Sequence, residues 1–153
     1  MLKLLRTTSE NPDFRILVSK LDHYLAIRNG ESNEFYAQFN KIDLIQHVVV
    51  AYRDEIAVGC GAIKKFDEST MEVKRMFVLP EVRGKGVAGA VLQELENWAK
   101  DLGMGKCVLE TGDDMTDAIG LYQKFGYTPT PKYGQYQGVE GSVCFEKVLV
   151  KSP

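Results

Sequence analysis

Seven consecutive residues, Arg83-Gly84-Lys85-Gly86-Val87-Ala88-Gly89, carry the clearest chemical signal in this sequence. They follow a β-branched run and open an amphipathic one, so they read as a strand-to-helix loop. The first backbone N–H groups of a helix have no partner inside it, and the helix dipole puts partial positive charge there. Glycines let the backbone take positive φ and pass close to a bulky anion. Arg83 and Lys85 add full charges. Together these are the parts of a diphosphate cradle built largely from backbone amides. Two glycines alone would serve equally well as a plain turn; the full set, between a strand and an amphipathic helix, favours the cradle.

Several diphosphate ligands need weighing. Gly84-x-Gly86-x-x-Gly89 also fits the dinucleotide fingerprint, and Glu110 ends the next strand where a ribose-binding acid could sit. Three features count against a nicotinamide-dependent oxidoreductase. Pro80-Glu81-Val82-Arg83 separate the strand from the first glycine, the preceding strands read as antiparallel, and the rest of the chain is too short for a second nucleotide half. A P-loop is excluded because Gly86, not Ser or Thr, follows Lys85.

The elements that must position this loop are legible around it. Leu2 to Arg6 reads as a first strand. Asn11-Pro12 has the form of a helix cap with proline at the first turn. Phe14, Leu17, Val18, Leu21, Tyr24 and Leu25 then repeat at helical spacing to about Ile27, where Asn29-Gly30 stops the helix. Glu31 to Phe39 suits a second, shorter helix. Gln46–Arg53, Ile56–Lys65 and Thr70–Leu79, joined by polar turns, predict an antiparallel meander. A helix of about Gly86 to Leu102 follows, with Val91, Leu95, Trp98 and Leu102 as its buried stripe and Gly103 as a left-handed cap. Lys106–Glu110 is a further strand. Ala118, Leu121, Tyr122 and Phe125 mark another amphipathic helix, with Asp113, Asp114 and Asp117 at its positive end and Gly126 at its stop. Ser142–Val150 is a last strand. The expectation is a single α/β domain over residues 1–153.

Composition narrows the function classes. The chain has 153 residues, 44% of them hydrophobic and 26% charged, an ordinary globular balance. A formal net charge of -2 gives no basic excess for phosphate backbones, so nucleic acid is not an expected partner. The longest apolar stretch, His47 to Tyr52, is far short of a membrane span, and Met1 to Arg6 lacks the core and cleavage site of a secretory signal. Cys60, Cys107 and Cys144 form no ligand pattern or disulfide framework and read as small buried hydrophobes, which fits a reducing cytoplasm. His23 and His47 have no partner at useful spacing, and no metal site is expected.

With these residues in view, the chain resembles the GNAT superfamily of acyl-CoA-dependent N-acyltransferases. The signature of Gln or Arg, two residues, Gly, one residue, then Gly or Ala is met by Arg83 through Ala88. The run Val73-Lys74-Arg75-Met76-Phe77-Val78-Leu79-Pro80-Glu81 looks like the family's fourth strand. A second motif lies at Ala118 to Tyr127, and Ser142 to Lys147 resembles the last strand of small bacterial members. The likeness is strong over Glu72 to Lys147; residues 1–65 match in element order alone. It implies a mostly antiparallel mixed sheet, splayed between the fourth and fifth strands and flanked by about four helices. It also implies acetyl-CoA as cosubstrate and backbone pairing of Met76, Phe77 and Val78 with pantetheine. Where many relatives carry Asn or Gln touching the cofactor arm, this chain has Met115, and that contact is not carried over.

The resemblance also implies the chemistry. Acetyl transfer to an amine needs a deprotonated nucleophile, a donor for the oxyanion, and help for the leaving thiolate. Tyr122 is the candidate general acid for that thiolate: it stands where the family's tyrosine faces the cofactor sulfur, and a phenol stays protonated at neutral pH and so can donate. On helical spacing alone, Tyr122 would simply join Ala118 and Phe125 in a buried stripe. Glu72 shares a strand face with Lys74, Met76 and Val78 and matches a glutamate that acts on the amine through water in several relatives. A solvated carboxylate at a strand end is an equal reading, Glu110 is a rival, and the resemblance also allows a reaction with no dedicated base. The acceptor is a small-molecule or peptide amine, and the acidic balance suits a cationic one. Tyr133-Gly134-Gln135-Tyr136 is read either as a mobile aromatic wall over the cleft, packing on an acceptor, or equally as filling a surface groove. Family members are monomers or homodimers. The competing class is a non-catalytic acyl-CoA-binding sensor.

Overall fold

Helix α1 shows how local chemistry sets the frame. The Asn11 Oδ1 accepts a hydrogen bond from the Phe14 N–H at 3.0 Å, and Pro12 occupies the first helical turn, where its missing N–H costs nothing. The computed structural model describes residues 1–29 and 45–149. The elements are β1 (Leu2–Thr7), α1 (Pro12–Asn29), β2 (His47–Arg53), β3 (Ile56–Asp67), β4 (Thr70–Val78), α2 (Val87–Asp101), β5 (Lys106–Gly112), α3 (Thr116–Lys124), β6 (Thr128–Thr130) and β7 (Ser142–Val148). One mixed sheet runs in the order β1-β2-β3-β4-β5-β7-β6. Most of its pairings are antiparallel, as expected, and β4 and β5 are parallel. Three α-helices lie among the described residues, against about four expected; the helix expected over Glu31–Phe39 falls outside them.

The chain divides into two compact units: Met1–Lys64 with Lys74–Leu95, and Lys65–Val73 with Glu96–Pro153. In the first unit, Phe14, Leu17, Val18 and Leu21 of α1 pack with Val48, Val50, Cys60, Ala62 and Phe77. The β2–β3 hairpin turns through Asp54 and Glu55, both at positive φ (51° and 68°), the conformation of a two-residue type I′ turn. The start of α2 lies close against β3. A Cβ on Gly61 would stand 2.9 Å from both Leu95 Cδ1 and Val91 Cγ1, so a glycine there allows the approach.

In the second unit, β4 and β5 share the register Thr70↔Lys106, Met71↔Cys107 and Glu72↔Val108. Strands β5 and β7 pair over their full length. Strand β6 is not foreseen from sequence, because Pro129 argues against a strand. Its place at the sheet edge explains it, since an edge strand tolerates the missing N–H. Leu102, expected in the buried stripe of α2, is 41% exposed, and Trp98 is only half-buried. The helix ends at Asp101 in a cap centred on Gly103 (φ 82°), which turns Leu102 outward; Leu92 and Ala99 complete the apolar stripe instead. All three cysteines are free and buried, as expected.

Candidate active site

The loop before α2 belongs to the first unit. After β4, a 3-10 turn (Pro80–Val82) leads to Arg83, and Gly84 and Gly86 then take φ of 81° and 82°. L side chains avoid that conformation, so glycine is required for the backbone itself. Nothing would lie within 4 Å of a Cβ at either position, so the space in front of both glycines is open. The first helical hydrogen bond of α2 runs from the Ala90 N–H to the Gly86 carbonyl at 3.1 Å. The amides of Val87, Ala88 and Gly89 come before it and by helix geometry have no acceptor in their own helix. Left-handed glycines, open space and helix-start amides fit a diphosphate.

The charges beside the loop are distributed unequally. Lys85 is exposed. The Arg83 guanidinium is tethered: its Nε donates to the Val78 carbonyl at 3.2 Å, and its Cζ lies 6.0 Å from the centre of the Tyr24 ring. Arg83 therefore braces the end of β4 against α1. Phe77 and Val78 are buried, and Met76 is half-buried with its sulfur towards the α2 side of β3.

The second unit gathers the ionisable groups. Glu72 pairs in register with Val108, and Glu110 lies two residues further along β5, so both carboxylates project from one face of the sheet. Glu72 is not the solvated strand-end carboxylate considered from sequence. It is buried, and its Oε2 accepts a hydrogen bond from the Tyr133 hydroxyl at 2.7 Å. The Glu110 Oε2 accepts one from the Ser142 hydroxyl at 2.6 Å. Tyr136 is buried too, and its phenol is held protonated first by burial and then by the charges of Glu72 and Glu110. The expected mobile wall is thus a packed one. The Tyr133 ring stacks edge-on with Phe66 and with Tyr136, at centroid distances of 5.1 Å and 5.5 Å.

Tyr122 is the buried residue of α3. Burial pushes its phenol up to about 12, and the charge of Glu110 adds to the shift. Its ring meets that of Tyr127 edge-on at 5.9 Å. The structure therefore groups Tyr122 with Glu110, and Glu72 with Tyr133. Tyr133 and Ser142 as carboxylate partners went unseen in the sequence, because a tyrosine sixty-one positions from its acceptor leaves no periodic trace. Met115 starts α3 without a side-chain cap.

A profile of the Acetyltransferase (GNAT) family matches residues 12–127, most of the chain. The chain belongs to the GNAT acetyltransferase family. The IAA acetyltransferase of Azospirillum brasilense is 36% identical over 137 residues, 87% of this chain and 88% of that protein. The fold is also that of a Klebsiella pneumoniae protein assigned as an acyl-CoA N-acyltransferase (TM-score 0.83, 27% identity, 98% of this chain and 99% of that one). It is shared by a GNAT family acetyltransferase of Elizabethkingia anophelis solved with acetyl-CoA bound (TM-score 0.70, 20% identity, 97% and 98%). Membership of this family makes the chain an acyltransferase, and the loop into α2 is where GNAT proteins carry their glycine signature. No helix among the described residues is long and apolar enough to cross a membrane.

Proposed function

We propose that this protein is a single-domain N-acetyltransferase that moves an acetyl group from acetyl-CoA to a primary amine, by direct attack within a ternary complex. The observation that carries the reading is the loop before α2. Two left-handed glycines face open space ahead of amides that have no helical acceptor, and this suits the diphosphate of acetyl-CoA. Backbone groups of Met76, Phe77 and Val78 would align the pantetheine arm as an added strand.

In the reaction, the acceptor ammonium gives a proton to a carboxylate, and its nitrogen attacks the thioester carbonyl. The C–N bond forms, the nitrogen gives up its second proton to solvent, the C–S bond breaks, and coenzyme A leaves as a thiolate. Glu72 is our choice of base, directly or through water, and Glu110 is its rival; the Tyr133 hydroxyl donates to Glu72 and the Ser142 hydroxyl to Glu110. Tyr122 serves the leaving sulfur. Burial and then the charge of Glu110 hold its phenol protonated at neutral pH, so it serves as the general acid: it donates its proton to the departing sulfur and is reprotonated from solvent. Tyr122→Phe should leave the acetyl-CoA dissociation constant within about twofold and cut kcat by about 10- to 100-fold, the worth of one charge-assisted hydrogen bond. Unchanged kcat in thiol-release assays would remove Tyr122 from the mechanism.

A further inference from the structure

Among the described residues, Arg75 is the buried cation that the proposed reaction leaves without a task. It lies in β4, is 6% exposed, and has a side chain only 2% exposed. Its φ is 60°, the left-handed region, in a residue with a full side chain and in the middle of a strand. That conformation costs about 1–2 kcal/mol and concentrates at functional positions. The Cys60 thiol donates to the Arg75 carbonyl at 3.4 Å.

The guanidinium is half-used. Nη1 donates to the Asp22 Oδ1 of α1 at 2.6 Å. Among the described residues, Nε and Nη2 have no hydrogen-bond partner, although both are buried. Buried polar groups are rarely left this way, and each unsatisfied N–H costs about 1–3 kcal/mol. The two free donors are also the pair that shares one edge of the guanidinium plane. Two parallel N–H groups on one edge match the two oxygens of a carboxylate. Asp22 is half-exposed, so the guanidinium lies one side chain below the surface.

We infer that the Nε/Nη2 edge of Arg75 receives a carboxylate of the acceptor, so that the amines acetylated by this protein also carry a carboxylate. The inference rests on the acetyltransferase reading. Arg75 immediately precedes Met76, Phe77 and Val78, and the diphosphate loop lies beyond the other end of that run. An acyl chain lying along β4 from the loop thus ends beside Arg75, where the acceptor must be held. A carboxylate suits the edge better than a phosphoryl dianion, because Asp22 already shares the guanidinium charge and the dianion would bury one more negative charge beside it than a carboxylate does.

The test uses acetyl-CoA and a panel of α-, β- and ω-amino acids, each beside its own carboxamide, and reads kcat/KM by thiol release. In the unaltered protein at least one acid should outperform its carboxamide by about 10- to 100-fold, through KM more than kcat. In Arg75→Gln that ratio should fall to near one, and in Arg75→Lys to an intermediate value, with acetyl-CoA affinity by calorimetry unchanged in both. Equal use of acid and carboxamide by the unaltered protein overturns the inference with no variant needed. A ratio that survives Arg75→Gln, or no acetylation of any acid in the panel, overturns it as well. Loss of the Arg75 assignment with acetyl-CoA binding intact leaves the acetyltransferase reading standing; absence of acetyl-CoA binding to the unaltered protein removes both.

Discussion

Placing a carboxylate at Gly86 tests the cradle most directly. Gly86 has φ of 82°, and a Cβ there would meet no atom within 4 Å. Substitution therefore has two separable effects. The first is conformational: any L side chain pays about 1–2 kcal/mol to hold the left-handed region. For a chain of this size that lowers Tm by roughly 2–8 °C. Gly86→Ala isolates this effect, and its affinity for acetyl-CoA should stay within about tenfold of normal. The second effect is electrostatic. In Gly86→Glu the new carboxylate projects into the open space that the diphosphate would fill. One like-charge pair about 5 Å apart, at an effective dielectric of about 20, costs about 3 kcal/mol, or more than about 100-fold in affinity. Titration calorimetry with acetyl-CoA measures the difference, and thermal denaturation confirms that both variants fold. If Gly86→Glu binds as Gly86→Ala does, at low as well as physiological salt, no anion sits at this helix start and the cradle is wrong.

Three further outcomes follow from the buried groups. Burial raises the Cys60 and Cys107 thiols from 9.0 to about 12 and the Tyr122 phenol from 10.0 to about 12. Each holds its proton more tightly folded than unfolded, so its contribution is complete below pH 9 and is lost as pH rises towards 12. By pH 10 the two thiols together should cost about 3 kcal/mol, and a urea midpoint equal at pH 8 and pH 10 would refute that. Glu96→Gln should cost about 2–3 kcal/mol by urea unfolding, because it leaves Lys147 without its counter-charge; the loss stays under that of a fully buried pair since Lys147 is about a quarter exposed. Glu72→Gln and Glu110→Gln, compared for the pH dependence of kcat/KM, should show the acidic limb vanishing in whichever carboxylate is the base, and its persistence in both would leave the reaction without a dedicated base.

The parts of the fold set by local chemistry were readable in the chain. Asn11-Pro12 starts α1, Gly103 and Gly126 end helices at positive φ, and the spacing of Phe14, Leu17, Val18 and Leu21 marks the face that is buried. The strand-to-helix loop was legible for the same reason, since its glycines and charges lie within one short segment. Long-range effects were not. Pro129 lies in a strand only because β6 is an edge, and Leu102 points outward because the cap turns the chain just before Gly103. The hydroxyl partners of Glu72 and Glu110 come from Tyr133 and Ser142, which sheet order brings beside them.

Two buried charges show why polar satisfaction separates a structural role from a functional one. Glu96, 1% exposed, sits on the otherwise apolar stripe of α2, where helical periodicity alone would place a hydrophobe. Both of its oxygens are taken: Oε2 accepts from the Tyr127 hydroxyl at 2.9 Å and Oε1 from Lys147 Nζ at 2.7 Å. Nothing is left over for a ligand, and the group ties α2 to β7 and the chain after α3. Arg75 is buried nearly as well, yet it spends one nitrogen on Asp22, leaves a matched pair of donors idle, and does so on strained backbone. A fold that can satisfy Glu96 completely has the means to satisfy an arginine. The idle edge is therefore best explained by a partner that arrives with the acceptor, and that explanation makes the acid-to-carboxamide ratio the measurement on which Arg75 should be judged.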